Sequence, residues 1–302
     1  MNPPLGFLGL GAMGQPMAAN LLAQGHTLRI WNRDSAKGSE LVAAGAIRAA
    51  TPASAAEPGG IVISMLADDR ALLDISAGPD GLVGRLGAGG VHVSCSTVAG
   101  STLDSLAARH AEHGEVLVAA PVFGRPEAAL ARKLWVLMAG PQPARARVAP
   151  ILAQLGQRVV DLGETLAAAA AMKLAGNFMI LAAIESMGEA MLLAERHGVA
   201  RETFAEFFGQ SLFACPIYQN YGRQIATRRY RPAGFRLPLG LKDIRLVQDT
   251  AAQVNLPMPL ADLLRNRLME SVSRGRSELD WTALELSIAN AAGSEPEITS
   301  GA

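Results

Sequence analysis

The chain has 302 residues, half of them apolar, and its 27 Lys and Arg balance 27 Asp and Glu. That length accommodates two domains with a sizeable core, and the lack of a basic excess argues against a protein built mainly to grip nucleic acid. Cys95 and Cys215 are far apart in no CxxC pair, so no structural zinc or disulfide framework is expected, and a reducing, cytoplasmic setting is.

In chain order, Leu5 to Leu10 is a short apolar run ending in glycine and reads as a buried strand. Gly11 to Gln24 reads as a helix with Met13, Met17, Leu21 and Leu22 on one stripe. Leu28 to Trp31 is a second strand, Ser39 to Ala44 is helical, and Gly60 to Leu66 is another buried strand. Val91 to Ser94 and Val116 to Ala119 read as strands flanking a helix over Leu103 to His113. Leu134 to Met138 and Arg158 to Asp161 are expected to complete the sheet. Strand and helix alternate throughout, which implies an α/β fold with a parallel, doubly wound sheet over residues 1–163.

Beyond Gly163 the pattern becomes helical, so residues 164–290 are expected to form an all-helical domain and residues 291–302 a flexible tail. Leu166 to His197 reads as one long helix joining the two domains. Its first half is apolar enough to suggest a membrane span, but Lys173 and Asn177 lie at its centre. A lysine at mid-bilayer costs about 3 kcal/mol or more, so a buried helix is expected and no membrane. Further helices are predicted over Arg201–Phe208, Pro216–Ala226, Leu241–Asn255 and Pro259–Ser273. The N-terminus lacks the basic and long apolar regions of a signal peptide.

Gly9-Leu10-Gly11-Ala12-Met13-Gly14 is GxGxxG, a weak signal alone. Here it follows a strand, opens a helix and precedes a second strand at the right distance, which is the context a dinucleotide site requires. Gly9 permits the tight turn, Gly11 lets a pyrophosphate approach the backbone, and Gly14 lets the helix pack on the strand. The helix start at Ala12 and Met13 offers N–H groups and a positive dipole end. The second strand ends in Asn32-Arg33-Asp34 with Lys37 beyond, and no acid stands at its last positions to accept from a ribose 2′-hydroxyl. Arg33 and Lys37 suit a 2′-phosphate, which points to NADPH over NADH. Asp34 offers a competing partner; paired with it, Arg33 would be a solvated surface residue.

The run FLGLGAMGQPMAANLLAQGHTLRIWNR closely resembles the start of the β-hydroxyacid dehydrogenases. Three further segments follow in that family's order: Ser94-Cys95-Ser96-Thr97, Met172-Lys173-Leu174-Ala175-Gly176-Asn177, and Leu241-Lys242-Asp243-Ile244. The resemblance implies interconversion of a β-hydroxyacid and its semialdehyde, with Lys173 as general acid and Asn177 orienting it or binding substrate. Burial of Lys173 in an apolar stretch lowers an ammonium's pKa toward neutrality; the alternative is a lysine snorkelling from a buried helix. Ser96 would meet the substrate and Thr97 the nicotinamide side, although a bare Ser-Thr pair at a strand end reads as a helix cap. Lys242 would reach the cofactor or a substrate carboxylate, although alone Lys242-Asp243 reads as a solvated helix start. Asp68 and its neighbours Leu66 and Ala67 would line the adenosine side through backbone contacts, and Asp68-Asp69 would cap a helix or open a loop. Phe235 would pack over the substrate, or belong to the core. A homodimer or homotetramer is implied.

Two departures bear on the substrate. The family's loop reads D-x-P-V-S-G-G or G-P-V-S-G, and here it is Ala119-Ala120-Pro121-Val122-Phe123-Gly124-Arg125-Pro126. Phe123 replaces a hydroxyl that would bind a small carboxylate. Val122 and Gly124 keep the family's residues, and Arg125 offers either an anionic anchor or a solvated side chain. Upstream of Lys173 the glycine-rich turn is replaced by Glu164-Thr165-Leu166 and five alanines. An imine reductase of the same architecture and a non-catalytic NADP-binding module are the competing readings; Lys173 disfavours the first, and its company with Asn177 and Lys242 disfavours the second. His110 and His113 lie on a charged helix without a third ligand, so no metal is expected. The Arg-rich stretch from Arg223 to Arg236 reads as a surface segment.

Overall fold

The computed structural model describes residues 4–294 and residue 298. The chain divides into two compact units, residues 1–173 and 174–302.

The first unit begins with β1 (Leu5–Leu8), α1 (Gly14–Ala23), β2 (Leu28–Trp31), α2 (Ser39–Ala43) and β3 (Ile47–Arg48). β4 (Ile61–Ser64), α3 (Asp69–Ala77), β5 (Val91–Ser94), α4 (Gly100–Ala111) and β6 (Val116–Ala119) complete its main sheet. The six strands lie in the order β3-β2-β1-β4-β5-β6 and every pairing is parallel. Both faces are buried, as a parallel sheet demands. Phe7, Ile30, Ile63 and Val93 enter one apolar core, and Leu8, Val62, Leu117 and Ala119 enter another. The chain order reverses between β1 and β4, and the crevice at the carboxyl ends of these strands is where such sheets bind ligands.

The expectation that Leu134–Met138 and Arg158–Asp161 extend this sheet is corrected. β7 (Val122–Phe123), β8 (Leu134–Met138) and β9 (Gly156–Asp161) form a separate three-stranded sheet, with α5 (Pro126–Leu130) and α6 (Gln142–Leu152) between them. After Pro121 the chain turns and pairs antiparallel with β8, matching Phe123 with Trp135. Ala139, the residue after β8, bridges antiparallel to Ala119 at the end of β6, and Leu137 packs in one core with Leu117 and Ala119. The missed helices α5 and α6 carry too few or too broken apolar repeats to announce themselves; α6 even contains Pro150.

α7 (Leu166–Arg196) is one helix of 31 residues, long and apolar enough by composition to cross a membrane. Leu166, Ala169 and Ala170 enter the core of the first unit, packed with Val98 and Leu103. Leu174, Leu181, Ile184, Met187 and Met191 enter that of the second. The second unit continues with α8 (Arg201–Gln210), α9 (Pro216–Ala226), α10 (Leu237–Gln253), α11 (Pro259–Ser273) and α12 (Glu285–Ala291). α10 starts at Leu237, a turn earlier than expected, because Pro238 suits a first helical turn. The Arg-rich stretch is not a simple surface segment: Tyr230 is fully buried and its hydroxyl donates to Glu285. Of the expected flexible tail, residues 295–297 and 299–302 lie outside the described residues.

Candidate active site

At the end of β1 the glycines do what their spacing predicts. Gly9 has φ +93°, and a Cβ there would lie 2.3 Å from the Met65 carbonyl oxygen. A Cβ on Gly14 would lie 1.8 Å from the Gly9 carbonyl oxygen, so only glycine lets α1 start against the turn. A Cβ on Gly11 would meet nothing within 4 Å. That open space above the turn fits an incoming pyrophosphate. Ala12 is exposed and Met13 half-buried, and α1 has neither a capping side chain nor an acid in its first turn, leaving its positive end to an anion. A cleft of about 820 Å³ runs from Gly11 and Ala12 along α1 to Lys37.

Asn32 ties the second strand to this turn: its Oδ1 accepts from the Leu10 N–H at 2.8 Å, and its Nδ2 donates to the Asp34 carbonyl at 3.0 Å. The Asp34 carboxylate accepts from the Ala36 N–H at 3.0 Å, the local turn expected of a short acid. Among the described residues it makes no ion pair with Arg33. Arg33 and Lys37 are both exposed. Arg48, which the sequence reading did not select, donates to the Lys37 carbonyl at 2.9 Å and brings a third cation to the same loop.

The ends of β4 and β5 are stitched together. Ser96 is buried, and its Oγ accepts from the Leu66 N–H at 2.9 Å. The Asp69 carboxylate accepts from the Ala99 N–H at 2.9 Å. Ser96 is therefore not a cap for α4, whose N-cap is Ala99 without a side-chain bond. Of the two roles expected for Asp68, loop start or helix cap, the structure shows the cap: its carboxylate accepts from the Ala71 N–H at 2.8 Å at the start of α3. Thr97 is half-buried beside Ser96, and Ala67 is exposed next to Leu66.

In the loop after β6, the Val122 side chain lies in the apolar core. Gly124 has φ +140°, and a Cβ there would lie 2.6 Å from Leu134. Phe123 is half-buried, and the Lys173 Nζ stands 4.0 Å from its ring centroid. Lys173 itself is only 8% exposed. The structure thus joins the lysine of one motif to the departing residue of another, a contact the sequence reading did not foresee.

In the second unit the structure joins Asn177 and Lys242 through Asp243. Asn177 Nδ2 donates to Asp243 Oδ2 at 2.5 Å, and Lys242 Nζ pairs with Asp243 Oδ1 at 2.8 Å. The picture of a solvated helix start is corrected: the pair lies inside α10 and Asp243 is 1% exposed. The signal was in the sequence, since position 243 falls on the stripe of Gly240, Ile244 and Val247. Phe235 packs edge-on against Trp281, with centroids 4.6 Å apart.

His110 does not sit on a solvated face. Glu115 accepts from His110 Nδ1 at 2.6 Å and from the backbone N–H groups of Gly84, Leu86 and Gly87. His110 Nε2 lies 3.1 Å from His92 Nδ1, and His92 Nε2 lies 2.9 Å from Ser64 Oγ. One tautomer set satisfies every link with both rings neutral: Ser64 donates to His92, His92 to His110, and His110 to Glu115. Burial pushes the pKa of His92 well below its ordinary 6.5, helped by His110. Burial also lowers His110, against the opposing pull of Glu115.

The first unit matches, over residues 4–163, the family described as the NAD binding domain of 6-phosphogluconate dehydrogenase. Residues 167–286 match the NAD-binding region of NADP-dependent 3-hydroxyisobutyrate dehydrogenase. The chain is 31% identical over 268 residues to 3-hydroxyisobutyrate dehydrogenase of Pseudomonas aeruginosa, covering 87% of this chain and 90% of that one. The chain belongs to the β-hydroxyacid dehydrogenase family. It is also 40% identical over 280 residues to the oxidoreductase YfjR of Bacillus subtilis, covering 93% and 98% of the two chains. The crystal structure of 3-hydroxyisobutyrate dehydrogenase from Salmonella typhimurium shares the fold, with a TM-score of 0.83 at 23% identity over 93% of this chain and 98% of that one. As a β-hydroxyacid dehydrogenase the protein is an NAD(P)-dependent oxidoreductase acting on hydroxyl groups, and the glycine turn is built for its nicotinamide cofactor.

Proposed function

We propose that the protein is an NADPH-dependent reductase that converts the carbonyl of a short oxoacid semialdehyde to the β-hydroxyacid, with Lys173 as proton donor. The observation that carries this reading is Lys173: a lysine 8% exposed, with its ammonium 4.0 Å above an aromatic ring of the loop after β6. A bound nicotinamide supplies the hydride that reaches the carbonyl carbon. As that bond forms, negative charge gathers on the carbonyl oxygen, and the Lys173 ammonium donates the proton that completes the alcohol. Ser96 holds the backbone at Leu66 and so shapes the floor of this end of the sheet, with Thr97 beside it. Asn177 and Lys242, held by Asp243, are assigned to the substrate and the cofactor.

Preference for NADPH rests on Arg33 and Lys37, both exposed, with the Asp34 carboxylate engaged by Ala36 rather than by Arg33. A 2′-phosphate carries close to two charges, and a guanidinium binds it with two parallel bonds. The apolar residues Met172, Met179 and Leu193, exposed on α7, support a homo-oligomer.

The test follows NADPH oxidation with glyoxylate, succinic semialdehyde, tartronate semialdehyde, bulkier oxoacids and a cyclic imine. Turnover of at least one carboxylated aldehyde, with NADPH favoured over NADH, is the expected result. Turnover of the imine alone would overturn the carbonyl chemistry and leave the cofactor site standing.

A further inference from the structure

The cleft of about 820 Å³ beside the glycine turn is longer than the turn requires. From Ala12 it passes Pro16 and Ala19 to Ala23, along one face of a helix of 10 residues, about 15 Å in length. Its walls are apolar: Ala19, Leu22 and Ala23 of α1, Leu41 and Ala44 of α2, and Leu130 of α5. Both flanking helices are tied to α1. The Gln15 amide donates to the Glu40 carboxylate of α2 at 3.2 Å, and the Asn20 amide donates to the Ala129 carbonyl of α5 at 2.7 Å. The groove is therefore formed before a ligand arrives, and the second bond sets Leu130 beside the later part of α1. Leu130 is 68% exposed there. A dinucleotide uses only the mouth of this groove, because its pyrophosphate stops at the start of the helix and the rest of it follows the carboxyl ends of the strands.

Charge along the groove suits one kind of ligand. An anion is favoured at the start of α1, which has no acid in its first turn, and Lys37 also lines the cleft. Glu40 and Glu127, both exposed on its flanks, oppose a second negative charge. We propose that the groove is a second binding site, for a single unbranched alkyl chain with a phosphate head. The head takes the position of the cofactor's pyrophosphate at residues 11–14, and the chain lies along α1 against Leu130. Such an amphiphile competes with the nicotinamide cofactor and so regulates the enzyme. The proposal needs the cofactor turn alone and is independent of which aldehyde is reduced and of the role of Lys173.

n-Alkyl phosphates from butyl to dodecyl, kept below their micelle concentrations, make the test, read by displacement of NADPH fluorescence from the full-length protein. Each is expected to compete with NADPH, and the dissociation constant should fall about three- to fourfold for each added methylene. Inorganic phosphate should compete only weakly. Leu130→Asp alters an exposed position outside the cofactor turn. It should weaken dodecyl phosphate about tenfold and leave butyl phosphate and NADPH within about twofold of wild type. Equal affinity across the series would overturn the proposal, because the chain would then touch no apolar wall. Binding without displacement of NADPH would overturn it by placing the head away from α1. Dodecyl phosphate held as tightly by Leu130→Asp as by wild type would overturn it by placing the chain outside the groove.

Discussion

The glycine turn at residues 9–14 and the loop at residues 119–126 both leave the carboxyl end of a parallel strand, β1 and β6. They differ in what dictates their residues. In the first, backbone meets backbone: Gly9 against Met65 and Gly14 against Gly9, with contacts too close for any side chain. In the second, one residue faces a side chain fifty positions further along, Phe123 against Lys173. A turn built on backbone contacts admits few sequences and serves any ligand with a pyrophosphate. A loop built on a side-chain contact can change its residue and, with it, the substrate. This is why the cofactor half of the reaction follows from the motif, while the substrate half depends on this chain's own geometry.

The comparison can be sharpened inside the glycine turn itself. Gly14→Ala places a methyl group 1.8 Å from a carbonyl oxygen. Overpacking of this kind costs about 1–3 kcal/mol or more, so Tm should fall and NADPH binding should weaken up to about a hundredfold. Gly11→Ala meets no protein atom; it should leave Tm unchanged while weakening NADPH. Equal Tm losses in the two variants would show that the space over Gly11 is not kept for a ligand.

A smaller effect is expected at the adenosine end. Charge-assisted hydrogen bonds contribute about 1.5–3 kcal/mol, so Arg33→Ala should lower kcat/KM for NADPH roughly ten- to a hundredfold and leave that for NADH in place. An unchanged NADPH to NADH ratio would return Arg33 to the solvated surface.

The smallest effect concerns the buried chain Ser64–His92–His110–Glu115, which supports the loop at residues 84–87 rather than the chemistry. Both histidines titrate below 6.5 in the folded protein. The unfolded chain therefore binds more protons in the window below 6.5, and stability is lost as pH falls from about 6.5 toward the folded values. The slope is at most about 1.4 kcal/mol per pH unit for each histidine. Urea unfolding between pH 7.5 and 5 should show the loss, and His92→Gln should flatten it. A stability flat across that range in the wild type would mean that the imidazoles are not held neutral.

Much of this was legible in the sequence, for identifiable reasons. Val116–Ala119 is a continuous apolar run, Leu28–Trp31 and Val91–Ser94 are apolar but for Arg29, His92 and Ser94, and all three strands lie where the pattern puts them. The long helix Leu166–Arg196 announced itself by composition. The second sheet did not, because the pairing of Phe123 with Trp135 is long-range and leaves no periodic trace. The buried roles of His92, His110 and Asp243 were hidden for a related reason. A polar residue in a mixed sequence reads as solvated until its partners are seen, and those partners come from other elements. Ser96, a substrate contact by the resemblance and a helix cap as a bare residue, turns its hydroxyl to the Leu66 N–H, thirty residues back.

The most direct test of the account is Lys173→Ala under saturating NADPH, with cofactor binding measured beside turnover on the best aldehyde of the panel. The account predicts NADPH affinity within about twofold of wild type and kcat lowered about 10²–10⁴-fold. Wild-type turnover with intact cofactor binding would contradict it, and the proton would have to come from another group.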